Sequence, residues 1–138
     1  MKRKLISLCT AVWLVIFSVF FFSCEKGEKG VQPVAIDLTG VAVEEGTTLL
    51  DIMQDLQEEG KLTFQLSNGM VTSINGRANS MTYNPCWMLY TSDDDPAVSN
   101  HAWGTYEYGE KTLSSAALGV DELLVKAGEL YVWVYQSF

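Results

Sequence analysis

Reactive side chains are scarce in this chain. It has one histidine, His101, and three cysteines, Cys9, Cys24 and Cys86. A hydrolytic triad could be drawn from His101, an aspartate and Ser114 or Ser115. Neither serine, however, sits in the glycine-flanked elbow that exposes a nucleophile. Cys86 and His101 could form a thiol–imidazole pair, but a lone cysteine in a fold ordinarily packs as a small hydrophobe. The imidazole would also suit a transition metal such as cobalt, though no second ligand stands at a helpful spacing. Asp93-Asp94-Asp95 gathers three carboxylates. A calcium loop alternates its ligands around a fixed glycine, so three consecutive acids before Pro96 read as an exposed turn. No catalytic residue and no metal site is expected, and the chain reads as a non-enzyme.

Aromatic density is the more informative signal. His101, Trp103, Tyr106 and Tyr108 fall within eight residues, in a stretch (101–109) that reads as a loop inside a long segment, 92–119, rich in Asp, Gly, Ser and aromatics. Large rings in a loop have no core duty by default. Two readings stay open: a stacking platform for a flat or sugar-like ligand, or rings folded back over a sheet as an extension of the core.

The elements that would position these residues begin after an export signal. Lys2-Arg3-Lys4 is followed by an almost unbroken apolar run over residues 5–22, then Ser23-Cys24 and the polar stretch 25–30. A basic start, an apolar stretch and a small residue before a change of composition mark a cleaved targeting segment, residues 1–23. Phe21-Phe22-Ser23-Cys24 resembles the bacterial lipobox, with Phe21 in place of the usual leucine. In that motif the cysteine becomes the acylated N-terminus. Acyl chains contribute about 0.8 kcal/mol per buried methylene, enough when several are present to hold a domain on a membrane. The alternative is an uncleaved signal anchor. Both place the domain outside the cytoplasmic membrane, with residues 24–33 as the lipidated cysteine and a flexible tether.

Cleavage leaves 115 residues, enough for one domain with its own core. Six basic residues then face seventeen acidic ones, a net charge of −11. That balance argues against nucleic acid, which needs a basic patch, and against electrostatic adhesion to anionic lipid. With Cys86 alone in the fold, neither a disulfide between fold residues nor a cysteine-rich zinc site can form.

Within the domain, residues 34–38 and 41–43 read as two short strands or one bent hairpin around Gly40. Thr48 with Asp51 has capping-box spacing, and Leu49, Ile52, Met53 and Leu56 recur at helical period up to the stop at Gly60. Strand-like runs follow over 61–66 and 70–74, each ending in Asn-Gly, the strongest short hairpin signal. Residues 87–91 form a further strand. A closing hairpin is expected from 123–125, the turn 126–128 and 129–136. Its last strand is apolar or aromatic on both faces, as a central strand must be. The expected architecture is α+β and β-grasp-like, one helix packed on a mixed sheet of short strands.

Four segments in order carry a resemblance: residues 48–53, 71–76, 87–90 and 126–135. Together they resemble the bacterial DUF4430 domain, which is similar to the C-terminal β-domain of transcobalamin and intrinsic factor, over residues 34–138. The resemblance implies a site for cobalamin or another corrinoid. It is formed by the strand residues Trp87, Met88 and Leu89 and by Gly119 and Val120 before the last hairpin. Met88 stands where the carriers have a polar residue, Cys86 where an aromatic is usual, and the carriers' helical partner domain is missing. The function expected is that of a membrane-anchored extracytoplasmic lipoprotein binding a small ligand. The alternative is a non-catalytic surface module for adhesion to a protein or glycan. A concave aromatic pocket would favour the first, a flat exposed patch the second.

Overall fold

The computed structural model describes residues 30–137; Cys24, the signal segment and most of the tether lie outside them. Nine elements follow in order: β1 (Val34–Asp37), α1 (Leu49–Glu58), β2 (Phe64–Ser67), β3 (Met70–Ile74) and β4 (Arg77–Ala78), then β5 (Cys86–Thr91), β6 (Ser99–Tyr108), β7 (Lys111–Ala116) and β8 (Leu130–Gln136). The strands form two sheets, one ordered β1-β8-β5-β7-β6 and a smaller one ordered β2-β3-β4. Every ladder is antiparallel. The domain is thus α+β with a single helix, but its strands form two antiparallel sheets and not one mixed sheet.

Helix α1 forms where its caps and apolar stripe coincide. The Thr48 side chain accepts from Asp51 N–H at 3.2 Å, and the Asp51 carboxylate accepts from Thr48 N–H at 3.1 Å. At the other end Gly60 adopts φ +75°, Gly60 N–H bonds Gln57 C=O, and Lys61 N–H bonds Leu56 C=O. This Schellman arrangement satisfies the last carbonyls of the helix. The face formed by Leu49, Ile52, Met53 and Leu56 is buried. The two Asn-Gly pairs turn their hairpins with positive φ at both residues, 50° and 78° at Asn68-Gly69 and 50° and 83° at Asn75-Gly76.

Strand β8 divides the core in two. Tyr131, Trp133 and Tyr135 enter the larger cluster with the helix, Trp87, Leu89 and the small sheet's Val71 and Ile74. Leu130, Val132 and Val134 enter a second cluster on the opposite face with Tyr90 and Leu113.

Several expectations are corrected. Residues 41–43 form no strand: the chain turns at Thr39-Gly40, and Val41 N–H returns to Leu38 C=O. Residues 123–125 are no hairpin strand either. They touch the helix entrance through an isolated Thr48↔Leu124 bridge and the Val125 N–H bond to Thr47 C=O. The tether ends earlier than residue 33, because Val31 packs against the larger core and Pro33 is buried. Residues 101–108 are not a loop, since they belong to β6, which joins β7 at Gly109-Glu110.

Candidate functional site

The larger sheet is split on one side of β5. Strand β5 pairs with β8 over all six residues, Cys86↔Gln136 to Thr91↔Tyr131. With β7 it pairs only at Tyr90↔Ser115 and Thr91↔Ser114. Strand β7 stays with β6 instead, through Ser99↔Ala116, and Ala117 N–H bonds Val98 C=O at 2.8 Å. Trp87, Met88 and Leu89 therefore lack a neighbouring strand on that side. A cleft of about 440 Å³ opens there, bounded by these three residues, by 115–116 and 118–122, by the β2–β3 turn and by Trp133.

Trp87 holds the cleft to the small sheet. Its indole N–H donates to Arg77 C=O at 2.7 Å, and its backbone N–H donates to the Asn79 carboxamide oxygen at 2.8 Å. Its ring meets Tyr135 edge-on, centroids 5.2 Å apart, and the Tyr135 hydroxyl donates to Ala78 C=O at 2.9 Å. The Arg77 guanidinium lies 5.5 Å from the centroid of the same Tyr135 ring. These contacts hold strand β4, and through it the β2–β3 turn at the cleft rim.

The far rim depends on two glycines. A Cβ on Gly119 would stand 3.0 Å from Gly69 C=O, and one on Gly69 would stand 3.0 Å from the Asp121 carboxylate. The Gly119 contact is with backbone, so its missing side chain is what lets the β2–β3 turn approach so closely, while Gly69 supplies the positive φ of that turn. The same loop caps the helix: Val120 C=O accepts from Leu50 N–H and Leu123 C=O from Leu49 N–H. Val120 itself is buried. Asp121 and Glu122 are exposed on the rim, and no basic residue lines the cleft. Within it, the Trp133 indole N–H is buried without a hydrogen-bond partner. A buried Trp N–H normally finds an acceptor, so this one carries an unrecovered desolvation cost.

The five positions singled out by resemblance (Trp87, Met88, Leu89, Gly119 and Val120) thus share one cleft. The four singled out by aromatic density do not. His101, Trp103, Tyr106 and Tyr108 lie on β6, away from the residues that line it. The β6·β7 register jumps between Asn100↔Ser115 and Thr105↔Ser114, which leaves residues 101–104 bulged out of the ladder. Trp103 on this bulge is 65% exposed. Tyr106 and Tyr108, beyond it, turn inward into the second core cluster, with the Tyr106 ring 5.6 Å from that of Tyr90. As members of a stacking platform these two tyrosines are corrected to core residues. His101 Nδ1 lies 3.2 Å from Ser114 Oγ on the surface, and among the described residues no carboxylate hydrogen-bonds its ring.

The acidic triplet is also corrected, because Asp93 is buried and not part of an exposed turn. Its carboxylate accepts Asp95 N–H at 3.1 Å and meets Lys126 Nζ at 3.3 Å. These Asp93 contacts raise the Lys126 pKa. The bond from Ala97 N–H lowers that of Asp95. Burial pushes the Cys86 thiol and the Tyr90 phenol up, and Tyr131 up to about 12. An elevated thiol pKa leaves Cys86 a poor nucleophile. Among the described residues no group of three or more His, Cys, Asp or Glu side chains could hold a metal ion, and no helix is long and apolar enough to cross a membrane. No protein-family model, curated protein or solved structure matches this chain.

Proposed function

We propose that this protein is a non-catalytic ligand-binding lipoprotein. In this reading Cys24 anchors it outside the cytoplasmic membrane, and a domain of β-grasp type, similar to the DUF4430 domain, presents the β5–β7 cleft to its ligand. One observation carries the reading: Trp87, Met88, Leu89, Gly119 and Val120 line a single cleft. Its volume falls in the range of small-molecule sites, about 300–1,000 Å³. Its lining mixes apolar side chains (Trp87, Leu89, Val120) with polar ones (Asn68, Ser115, Asp121, Glu122). A corrinoid is the ligand that the resemblance to the vitamin B12 carriers points to. Its flat macrocycle would rest an edge against the Trp87–Leu89 wall. The cleft is too small to enclose the whole molecule, so the rest would face solvent or a partner protein.

Titrating the full-chain protein in detergent with cobalamin and with cobinamide, followed by corrin absorbance, tests this directly. Saturable spectral change supports the reading, and none up to millimolar ligand rejects a corrinoid. The alternative, a surface module for a protein or glycan, is favoured by one observation, the exposure of Trp103 on its bulge. That reading requires binding to be lost in Trp103→Ala, a residue the cleft does not use.

A further inference from the structure

The incomplete β5·β7 ladder leaves an open sheet edge inside the molecule. A strand directs its backbone groups alternately toward its two neighbours. The Trp87 N–H points away from β8, since it is given to Asn79 Oδ1. Leu89, two residues on, directs its N–H the same way, because the alternation has period two. The ladder with β7 begins only at Tyr90↔Ser115. The edge from Trp87 to Leu89 is therefore a short strand edge lacking its neighbour. Its first position is already occupied by a carboxamide from Asn79, which shows what chemistry completes it.

We infer that this wedge accepts an extended peptide, inserted beside β5 as a short added strand, with a lysine or arginine side chain directed to Asp121 and Glu122. A peptide main chain matches an edge where the ladder stops short, which is how strand addition supplies affinity. The charge follows from the rim, where both ionisable residues lining the cleft are exposed acids and none is basic. An acidic peptide would meet repulsion from the rim and from the protein's excess of acids. A peptide and a corrinoid would compete for the same space, so binding of one does not depend on the other.

The test uses isotopically labelled full-chain protein in detergent and three capped pentapeptides, Val-Val-Lys-Val-Val, its Glu-centred counterpart, and the Lys peptide N-methylated at alternate amides. The Lys peptide is expected to shift the Leu89 amide and Trp133 indole resonances saturably. The Glu peptide should bind about tenfold more weakly or worse, a difference of about 1.4 kcal/mol, and N-methylation should abolish the shifts. The double substitution Asp121→Asn, Glu122→Gln should remove most of the Lys-over-Glu preference while the spectrum stays that of a folded domain. Equal binding of the N-methylated peptide, shifts centred on Trp103, or no binding of the Lys peptide would each overturn the proposal. Cobinamide, added in a separate arm, distinguishes the two readings. If it binds and the Lys peptide does not, strand insertion fails and the corrinoid reading stands. If the peptide binds and cobinamide does not, the outcome is reversed.

Discussion

Two tryptophans in one core differ in the hydrogen bonding of their indoles, a difference that stability can measure. Trp87 and Trp133 are both 6% exposed and belong to the same cluster. The Trp87 indole N–H is bonded to Arg77 C=O at 2.7 Å, whereas that of Trp133 has no partner. Replacing either with phenylalanine removes the same atoms from the same core, so the packing losses cancel to first order in the comparison. The hydrogen-bond terms do not cancel. Trp87→Phe gives up a bond with a net value of about 0.5–1.5 kcal/mol. Trp133→Phe removes a buried unsatisfied donor, whose desolvation costs about 1–3 kcal/mol. Added together, these make Trp87→Phe the less stable variant by about 3 kcal/mol. In a domain of this size that corresponds to about 12 °C or more in melting temperature. Urea denaturation of both variants with unchanged m-values is the assay. Equal stabilities within about 0.5 kcal/mol, the scale of a neutral surface change, or a lower stability for Trp133→Phe, would refute the assignment of an unpaired indole.

Three further outcomes are expected. Tyr106→Ala should lose about 3–5 kcal/mol in chemical denaturation, as large aromatic truncations in cores do, whereas Trp103→Ala should stay within about 0.5 kcal/mol. Comparable losses would contradict the division of β6 at its bulge. Tyr131 keeps its proton in the fold up to about pH 12, while the unfolded chain releases it near pH 10, about the free phenol value. Its stabilisation is complete below that and lost as pH rises toward 12. Lys126, raised by Asp93, acts in the same direction, so a midpoint-versus-pH series should fall on the alkaline side and flatten in Tyr131→Phe. Labelled palmitate should enter the wild-type chain and not Cys24→Ala, and equal labelling of both would reject lipidation.

Features fixed by neighbouring residues are the most legible in the sequence, and those that depend on distant pairings are not. The capping box of Thr48 and Asp51 and the two Asn-Gly turns are short-range arrangements set by neighbouring residues, and all three form. The two-faced pattern of β8 also locates a central strand, because its alternation is uninterrupted. Strand β6 is not legible, for the opposite reason. Four bulged residues interrupt its period between Asn100 and Thr105, and its turn at Gly109-Glu110 carries no Asn-Gly signature. Tyr106 and Tyr108, separated by Glu107, held the one alternating signal that pointed inward. The burial of Asp93 is not legible, because its cation, Lys126, lies 33 residues away. The cleft could not be seen in any window, since it exists where β7 follows β6 and leaves β5. The residues named for it came from resemblance, not from spacing.

The central claim is that the wedge beside Trp87, Met88 and Leu89 is where ligand binds. Ala116, half-buried on the opposite wall, is the position at which to close it. Calorimetric titration of cobinamide into the wild-type full chain and into Ala116→Phe, matched for melting temperature, is the most direct test. The expected result is saturable heat in the wild type, weakened at least about tenfold by the added ring, or about 1.4 kcal/mol. Unchanged binding in a folded Ala116→Phe protein would contradict the placement of the site, and no heat in either would contradict the corrinoid itself.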